Sequence, residues 1–232
     1  MRAHVNPARG TKQRLLDAAA KIFVEDGLRQ AKIRDIVARA KTNLAAVNYH
    51  FGGKEALYTA VVRQHAERAL AQHPTQLAPG FATLPPQRAL RVFVRGMLAR
   101  LLDDDPDTLF PRLLAREMLD PTPALAGLAE SFARPQAVAL TRLVATLLTE
   151  RRPSRESELC AVSIVSQCMN LYFQRPVIGV LFPDLNIDKT AIDRLADHIC
   201  EFSLGGIRAR ARTLQKTEGH TKQAATRKPN PR

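Results

Sequence analysis

Residues 31–58 read AKIRDIVARAKTNLAAVNYHFGGKEALY, and the spacing of their apolar side chains predicts two short helices joined by a tight turn. The turn, at residues 40–43, has to reverse the chain within a few positions, and Asn43 is placed to cap the second helix. Ala45 and Ala46 keep that second helix slim enough for a DNA major groove, which is about 12 Å wide. Because the exposed positions also carry basic and amide side chains, the pattern favours a helix-turn-helix over an ordinary helical hairpin.

Apolar residues recur at helical spacing along most of the chain on both sides of this stretch. Thr11 is expected to cap the first helix, and Pro135 is expected to kink or divide a long helix over residues 123–150. No alternation of apolar and polar residues is long enough to predict a sheet. The sequence therefore predicts an all-α protein of about nine helices, with an N-terminal three-helix helix-turn-helix domain and a C-terminal helical bundle.

Charge is concentrated at the two ends of the chain. The 232 residues carry a net charge of +13; residues 1–73 contribute +7 and residues 208–232 another +7, while residues 74–207 carry −1. A basic terminal module beside a neutral body is typical of a nucleic-acid-binding protein with a separate second function. Charge that serves solubility alone is the open alternative, although it would not be expected to spare the centre of the chain.

Proline, glycine and charge divide the chain into segments. A cluster of prolines after the fourth predicted helix marks a linker, and the polar C-terminus is too poor in apolar residues to predict a folded structure. The predicted segments are a flexible arm (1–10), a helix-turn-helix DNA-binding domain (11–72), a linker (73–86), a second helical domain (87–212) and a disordered basic tail (213–232).

Several classes of function are disfavoured by the sequence. Three cysteines are too few for a disulfide-stabilised secreted scaffold, and neither a secretory leader nor an apolar run of membrane length is present. No serine and histidine are spaced for nucleophilic catalysis, no glycine-rich loop is of a nucleotide-binding type, and the cysteine and histidine spacing suits no metal. We therefore expect a cytoplasmic, non-enzymatic protein with no cofactor, no metal and no membrane contact.

Three motifs give the N-terminal region a family resemblance: KQRLLDAA at 12–19, IRDIV at 33–37 and VNYHFGGKEAL at 47–57. Together they resemble the DNA-binding domain of the TetR family of bacterial transcriptional regulators, over about residues 11–70. The resemblance implies a homodimer, most often a repressor, that binds a palindromic double-stranded DNA operator and is released by a small-molecule effector. At the turn Lys41 replaces the family's usual glycine, and it would have to tolerate a left-handed backbone.

The same resemblance assigns roles to side chains of the helix-turn-helix. The residues implied to face base edges are Arg34, Leu44, Ala45 and Ala46. The residues implied to contact phosphates are Thr11, Tyr49, His50 and Lys54. The rest of the predicted DNA-binding set is Lys32, Lys41, Asn43 and Asn48. Ala31 or Lys32 lies where the family has a threonine or serine, so that Lys32 is expected to replace a hydroxyl–phosphate contact, and Asn48 lies where the family has a tyrosine. For His50 the alternative is packing beneath Phe51.

Two motifs in the second half, REMLDPTPAL at 116–125 and NLYFQRP at 170–176, resemble the CecR-type subgroup of the family. The family's effector pocket lies among helices of this domain, where a few polar groups among apolar ones would bind a largely apolar ligand. The candidate pocket residues are Met97, Phe110, Arg112, Arg116, Glu117, Met118, Phe132, Gln167, Met169, Asn170, Tyr172 and Phe173. The alternative is that Arg116 and Glu117 pair with other core or surface charges, and that the Met and Phe side chains fill the core.

The helix predicted over residues 154–174 is apolar on most of its faces, so the core of one monomer covers only part of it. A second copy of the chain is the simplest cover for the rest. The predicted dimer-interface residues are Ile164, Val165, Cys168, Ile199, Phe202, Gly205 and Gly206. An architectural DNA-binding protein without an effector stays open as a second function, but the neutral second domain favours a regulator.

Overall fold

The computed structural model describes residues 10–75, 83–103, 105 and 107–226, with side chains described up to residue 214. Within these ranges the chain is helical and contains no strand, which confirms the predicted all-α class. The helices are α1 (Thr11–Gln30), α2 (Ile33–Arg39), α3 (Leu44–Phe51), α4 (Lys54–Gln72), α5 (Pro86–Leu101), α6 (Phe110–Leu119), α7 (Pro123–Leu128), α8 (Arg134–Leu147), α9 (Arg155–Phe173), α10 (Arg175–Leu181) and α11 (Ile192–Thr226). A π-helical turn (Ala129–Ala133) joins α7 to α8, and a 3-10 turn (Lys189–Ala191) precedes α11.

The described ranges hold eleven α-helices, more than the nine predicted. One addition arises because the long segment around Pro135 divides into α7 and α8, since proline lacks the N–H group that a continuous helix needs. The other addition is α10, a seven-residue helix without a buried residue. It lies in the connection between the eighth and ninth predicted helices.

Local signals place several helix ends where the sequence predicts them. Gly52 and Gly53 separate α3 from α4, with φ angles of 83° and 151° that favour glycine. Thr11 does not cap α1, which corrects the prediction. The carbonyl of Gly10 accepts the first helical hydrogen bonds, so Gly10 is the N-cap, and the Thr11 hydroxyl accepts from Arg14 at 3.3 Å instead.

The last helix is longer than predicted. α11 runs to Thr226, so the prediction of disorder is wrong for residues 213–226. Residues 208–226 are rich in arginine, alanine and other good helix formers and contain no proline, which explains why the helix continues. Three predicted segments fall partly or wholly outside the described residues, at 1–9, 76–82 and 227–232.

The helices form two compact units that do not follow the predicted domain boundary. Unit 1 contains Met1–His73 and Asp103–Pro135, whereas unit 2 contains Pro74–Leu102 and Gln136–Arg232. The sequence predicts that α6 and α7 belong to the second domain, but they pack on α1 and α4, and Leu113 of α6 belongs to the apolar core of those helices. The DNA-binding domain predicted at residues 11–72 is therefore extended by α6 and α7.

The core of unit 1 lies between α1 and α4, and it positions the two short helices α2 and α3. The rings of Phe23 and Tyr58 meet edge to face, with centroids 4.9 Å apart. Ile36 is the buried residue of α2, and Val47 is the buried residue of α3. Because each short helix is anchored by one buried side chain, most of its other positions remain at the surface.

Unit 2 packs α5, α9 and α11 around a second apolar core. Phe93 of α5, Ile164 of α9 and Ile199 of α11 are all buried in it. Of the other helices in the described ranges, only α9 makes extensive contact with α10. Most of the apolar surface of α10 is therefore exposed.

Candidate nucleic-acid interface

The turn between α2 and α3 adopts the strained backbone that its sequence predicts. Lys41 has a φ of 51°, in the left-handed region that favours glycine. The N–H of Thr42 donates to the carbonyl of Val37 at 2.9 Å, which closes α2. The Lys41 side chain is exposed, so this position combines a backbone cost with an accessible positive charge.

We expect Lys41→Gly to raise the free energy of unfolding by about 1 kcal/mol, because glycine adopts a positive φ without the steric cost of a side chain. The same change removes a positive charge, so DNA affinity should fall for all sequences. Urea unfolding and fluorescence-anisotropy titrations measure the two effects separately. Lys41→Asn is the control, since asparagine also tolerates this backbone. A Lys41→Gly protein less stable than wild type would contradict the strain.

α3 presents most of its length to solvent. The Asn43 side chain accepts the N–H of Ala46 at 3.0 Å, which satisfies an open donor at the helix start and confirms the predicted cap. Leu44 and Tyr49 are 54% and 85% exposed, although both carry large apolar groups. The helix is thus anchored by Val47 and presents Leu44 and Tyr49 to solvent.

The other predicted residues of α3 divide between surface and packing. Ala45 and Asn48 are exposed, whereas His50 is half-buried. The His50 ring lies edge-on to Tyr49 and Phe51, with centroids 5.0 Å and 6.2 Å away. The structure therefore supports the packing alternative for His50.

Lys54 lies in the first turn of α4, but its ammonium group is directed at the end of α1. Nζ donates to the carbonyls of Arg29 and Ala31, at 3.2 Å and 3.1 Å. Carbonyls at a helix C-terminus carry partial negative charge and favour a cation. Lys54 therefore holds the chain that leads into α2, a role that the sequence does not predict.

Basic side chains and open helix ends lie close to this surface in the sequence. Lys32 and Arg34, at the start of α2, are exposed, and the Arg34 guanidinium is 3.5 Å from Asp35, an exposed pair that contributes little energy. α1 and α4 begin after Gly10 and Gly53, without a side-chain cap. Such helix starts offer backbone N–H groups to anions.

Arg116, a candidate for the effector pocket, instead holds α1 just before a kink at Gly27. Its guanidinium donates to the carbonyl of Val24 at 3.0 Å and 3.1 Å, and also to that of Glu25. It lies beside Gly27, where a Cβ atom would be 3.2 Å from the guanidinium. Arg116 is therefore engaged with backbone carbonyls, whereas the alternative interpretation predicted a charged partner.

Glu117 is also engaged inside unit 1. Its carboxyl group is fully buried and accepts hydrogen bonds from the Tyr58 hydroxyl and from the backbone and side chain of Thr122. These contacts join α4, α6 and the start of α7. The two charged candidates thus stabilise the unit that carries the helix-turn-helix, and their assignment to the effector pocket is corrected.

The remaining pocket candidates are divided between the two units. Those in unit 1 are Phe110, Arg112, Met118 and Phe132. Those in unit 2 are Met97, Gln167, Met169, Asn170, Tyr172 and Phe173. Gln167 donates to Ser203 at 3.1 Å, and Asn170 accepts from Gln174 at 2.9 Å, so both amides already have partners.

Unit 1 contains a cavity of about 210 Å³ that the sequence does not predict. It lies between the second half of α4 and the start of α6, and its lining is mostly polar. The lining residues are His65, Arg68, Ala69, Gln72, Asp105, Asp107, Thr108, Leu109 and Phe110. The available sequence signal is the spacing of polar residues 65, 68 and 72, which share one face of a helix.

His65 is 9% exposed, and burial lowers its pKa to about 4, with a smaller contribution from Arg68. The unfolded chain binds a proton near pH 6.5 that the folded protein excludes, so this part of the stability is lost as the pH falls from 6.5 towards 4. Between pH 7 and pH 5 we expect the free energy of unfolding to fall by about 2 kcal/mol more in wild type than in His65→Leu. Urea unfolding at each pH tests this. His198→Leu, an exposed control, should keep the wild-type dependence, and equal slopes in all three proteins would contradict it.

The structure corrects part of the predicted dimer interface. Ile164 and Cys168 of α9 and Ile199 of α11 are buried in unit 2, because neighbouring helices of the same chain cover them. The exposed members of the predicted set are Phe202, Gly205 and Gly206, and Val165 is half-buried. A different face of α9 is exposed, and it carries Leu159 and Val162.

Other chemistry is not supported in the part of the chain that the structure describes. Burial raises the pKa of Cys168 to about 12 and that of Cys200 to about 11, so both are unreactive core thiols. The described residues contain no cluster of three potential metal ligands. None of the described helices combines the length and the apolar character that crossing a membrane requires.

Both halves of the chain match known families. Residues 15–61 match the family of bacterial regulatory proteins, tetR family, and residues 86–207 match the C-terminal domain of the HTH-type transcriptional dual regulator CecR. CecR of Shigella flexneri is 35% identical over 142 residues, which cover 58% of this chain and 63% of CecR. The match thus spans less than two thirds of that relative.

One further relative and one solved structure match most of the chain. The HTH-type transcriptional regulator Mb3439c of Mycobacterium bovis is 30% identical over 196 residues, which cover 84% of this chain and 86% of that protein. The crystal structure of AibR in complex with isovaleryl coenzyme A and operator DNA has a TM-score of 0.59 at 15% identity, covering 83% of this chain and 97% of AibR, and shows the same fold. From its two family matches and its long alignment with a curated regulator, the chain belongs to the TetR family of bacterial transcriptional regulators.

Proposed function

We propose that the protein is a homodimeric repressor that binds a palindromic DNA operator through α2 and α3 and leaves it when a small molecule binds. The observation that carries this proposal is the exposed face of α3, which Val47 anchors and Asn43 caps. Leu44 and Tyr49 lie on that helix as exposed apolar groups. A short, capped helix with such a surface suits a major groove, where apolar side chains contact thymine methyl groups.

Contacts to the DNA backbone are proposed to come from helix ends and from the net positive charge. The first turns of α1 and α4, after Gly10 and Gly53, offer N–H donors that suit phosphates. Residues 1–73 carry a net charge of +7, which attracts DNA of any sequence. Lys54 supports this arrangement indirectly, since its hydrogen bonds to the end of α1 hold the chain that leads into α2.

Arg34 is proposed to contact a base edge from the start of α2. Arg34→Ala should relax the sequence preference at one position in each half-site, at a cost of about 1–3 kcal/mol. Lys32→Ala, two residues earlier and equally exposed, should weaken binding to all sequences and reduce the salt slope by about one. Competition binding with single-base variants of the operator measures both effects. If both variants lost the same affinity for every operator sequence, the proposed contact between Arg34 and a base edge would be wrong.

The homodimer is proposed to form through the exposed apolar face of α9 and α11. Val162 and Phe202 are 61% and 69% exposed, on two helices that pack against each other. Gly205 and Gly206 lie beside Phe202 with open space where a Cβ atom would be. A large apolar surface of this kind is usually covered by a partner, and a second copy of the same helices gives a two-fold interface.

The effector is proposed to bind in the cavity beside His65. The AibR complex contains both isovaleryl coenzyme A and operator DNA, so a protein with this fold binds a small molecule as well as DNA. In this chain Arg68, Asp107 and the neutral imidazole of His65 line the cavity, which favours a small polar ligand over the largely apolar one predicted from the sequence. If the ligand weakens operator binding, the operator must weaken ligand binding by the same factor.

Selection of bound sequences from random DNA tests the regulator against the architectural alternative. The purified protein should enrich a palindromic motif, and a reporter with that motif in its promoter should be repressed. Leu44→Glu, which places a carboxylate on the exposed face of α3 without disturbing the core, should abolish the enrichment. Retention of DNA without any enriched motif would favour a non-specific DNA-binding protein.

The effector site needs a separate experiment. Thermal-shift screening of small polar metabolites should identify compounds that stabilise wild type but not His65→Leu, and titration of such a compound should weaken binding to the selected operator. A compound that stabilises both proteins equally would place the effector site away from this cavity.

A further inference from the structure

The chain passes between the two units at three points, and each point lies close to a buried polar residue of unit 2. The crossings fall after residues 73, 102 and 135. Thr75 follows the first crossing by two residues, Arg100 precedes the second, and Gln136 is the first residue after the third. Segments that are far apart in sequence therefore bring one polar side chain each to a crossing.

These three side chains form a single hydrogen-bond cluster, here called the crossing cluster (Thr75, Arg100 and Gln136). The Gln136 side-chain oxygen accepts from the Thr75 hydroxyl at 3.1 Å and from the Arg100 guanidinium at 2.7 Å. All three residues are buried, with exposures of 0%, 3% and 6% in sequence order. Because arginine has only donors, it fixes the amide of Gln136 with its oxygen towards both partners.

The backbone at the first crossing is held close to α5 by a glycine. A Cβ atom at Gly96 would lie 2.7 Å from the carbonyl oxygen of Pro74 and 3.3 Å from the methyl group of Thr75. Any larger residue at position 96 would push this segment outwards. The Thr75 hydroxyl therefore reaches Gln136 only because α5 carries glycine at this position.

We propose that Gln136 is a positioning residue that ties the three crossings into one hinge, through which a change in unit 2 alters the placement of the DNA-binding unit in the dimer. This inference rests on the proposed function. A displacement of α8 moves Gln136, and the hydrogen bonds then carry that movement to Thr75 after α4 and to Arg100 before the second crossing. In a buried site such bonds are costly to leave unmade, so the three segments move together.

The test compares operator recognition by the dimer with recognition by a single helix-turn-helix. Gln136→Leu and Thr75→Val remove the hydrogen bonds, whereas Gln136→Glu keeps the acceptor oxygen and Thr75→Ser keeps the donor. Anisotropy titrations of each full-length protein use two probes, the selected palindrome and a duplex with one half-site. Circular dichroism melting confirms that each variant is folded.

We expect the disrupting variants to lose about tenfold or more in affinity for the palindrome, the usual range of coupling between sites, with half-site affinity unchanged. Gln136→Glu and Thr75→Ser should behave as wild type. Gly96→Ala should reproduce the loss without removing any polar group, because its methyl group displaces Thr75.

An equal loss on both probes, or no loss on either, would overturn the proposal and leave the cluster a purely structural feature. Gly96→Ala with wild-type affinity for both probes would also overturn it. Failure of the wild-type protein to prefer the palindrome over the half-site would instead overturn the proposed function, so the two failures are distinguishable.

Discussion

Val162→Glu and Phe202→Glu should each give a soluble monomer whose affinity for the palindromic operator falls by about 100- to 10,000-fold, the gain that linking two binding sites usually provides. Both side chains are mostly exposed in one protomer, so a carboxylate costs little folding free energy there. In the proposed dimer the same carboxylates would be buried against their symmetry copies, where like charges repel. Sedimentation equilibrium measures the oligomeric state, and anisotropy titration measures the affinity.

Val138→Glu is the matched control for these two variants. Val138 is 43% exposed on α8, in the same unit but outside the proposed α9–α11 face. This variant should remain a dimer with wild-type operator affinity. Dimers retained in both Val162→Glu and Phe202→Glu would show that the interface lies on other helices.

Ile164→Glu, at another residue of the interface predicted from the sequence, should have a different result. Ile164 is 1% exposed inside unit 2, so a carboxylate there would be buried without a partner and would unfold the protein. Loss of the dimer in that variant would therefore say nothing about the interface. The sequence does not distinguish the two faces of α9, because both carry apolar residues at helical spacing. Only the folded structure shows which face is buried.

The features that the sequence predicts well are those fixed by local chemistry. The cap at Asn43, the left-handed backbone at Lys41 and the division of a helix at Pro135 each depend on one residue and its immediate neighbours. The strict order of these signals within about thirty residues also made the helix-turn-helix recognisable.

The features that the sequence does not predict depend on contacts between distant segments. The sequence places Lys54 at a helix start, but it does not show that the ammonium group donates to the distant carbonyls of Arg29 and Ala31. The sequence suggests that Arg116 binds a ligand, whereas in the structure its guanidinium donates hydrogen bonds to the carbonyl of Val24 in α1. Helix α6 is assigned to the second domain by its position in the chain, whereas its packing assigns it to unit 1.

Glu117 is the clearest case of such a long-range contact, and its loss should strongly destabilise the protein. The Tyr58 hydroxyl donates to its carboxyl group at 2.6 Å, and the Thr122 hydroxyl and N–H donate at 2.9 Å and 3.2 Å. Burial and the neighbouring Glu117 carboxyl raise the pKa of Tyr58, so the phenol stays protonated and remains a donor. The Tyr58 phenol therefore depends on Glu117 as its acceptor.

We expect Glu117→Leu to lower the free energy of unfolding by about 3–5 kcal/mol, because each buried donor left without an acceptor costs about 1–3 kcal/mol. Tyr58→Phe removes one donor without stranding another group, and should cost only about 1 kcal/mol. The double variant Tyr58→Phe/Glu117→Leu should lose less free energy of unfolding than the sum of the two single losses, because the phenol that Glu117→Leu leaves without an acceptor is absent. Urea unfolding measures all three, with Met118→Leu as an exposed neighbouring control. Strict additivity would mean that the hydrogen bond between Tyr58 and Glu117 does not hold α4 against α6, and the helix-turn-helix would then depend on apolar packing alone.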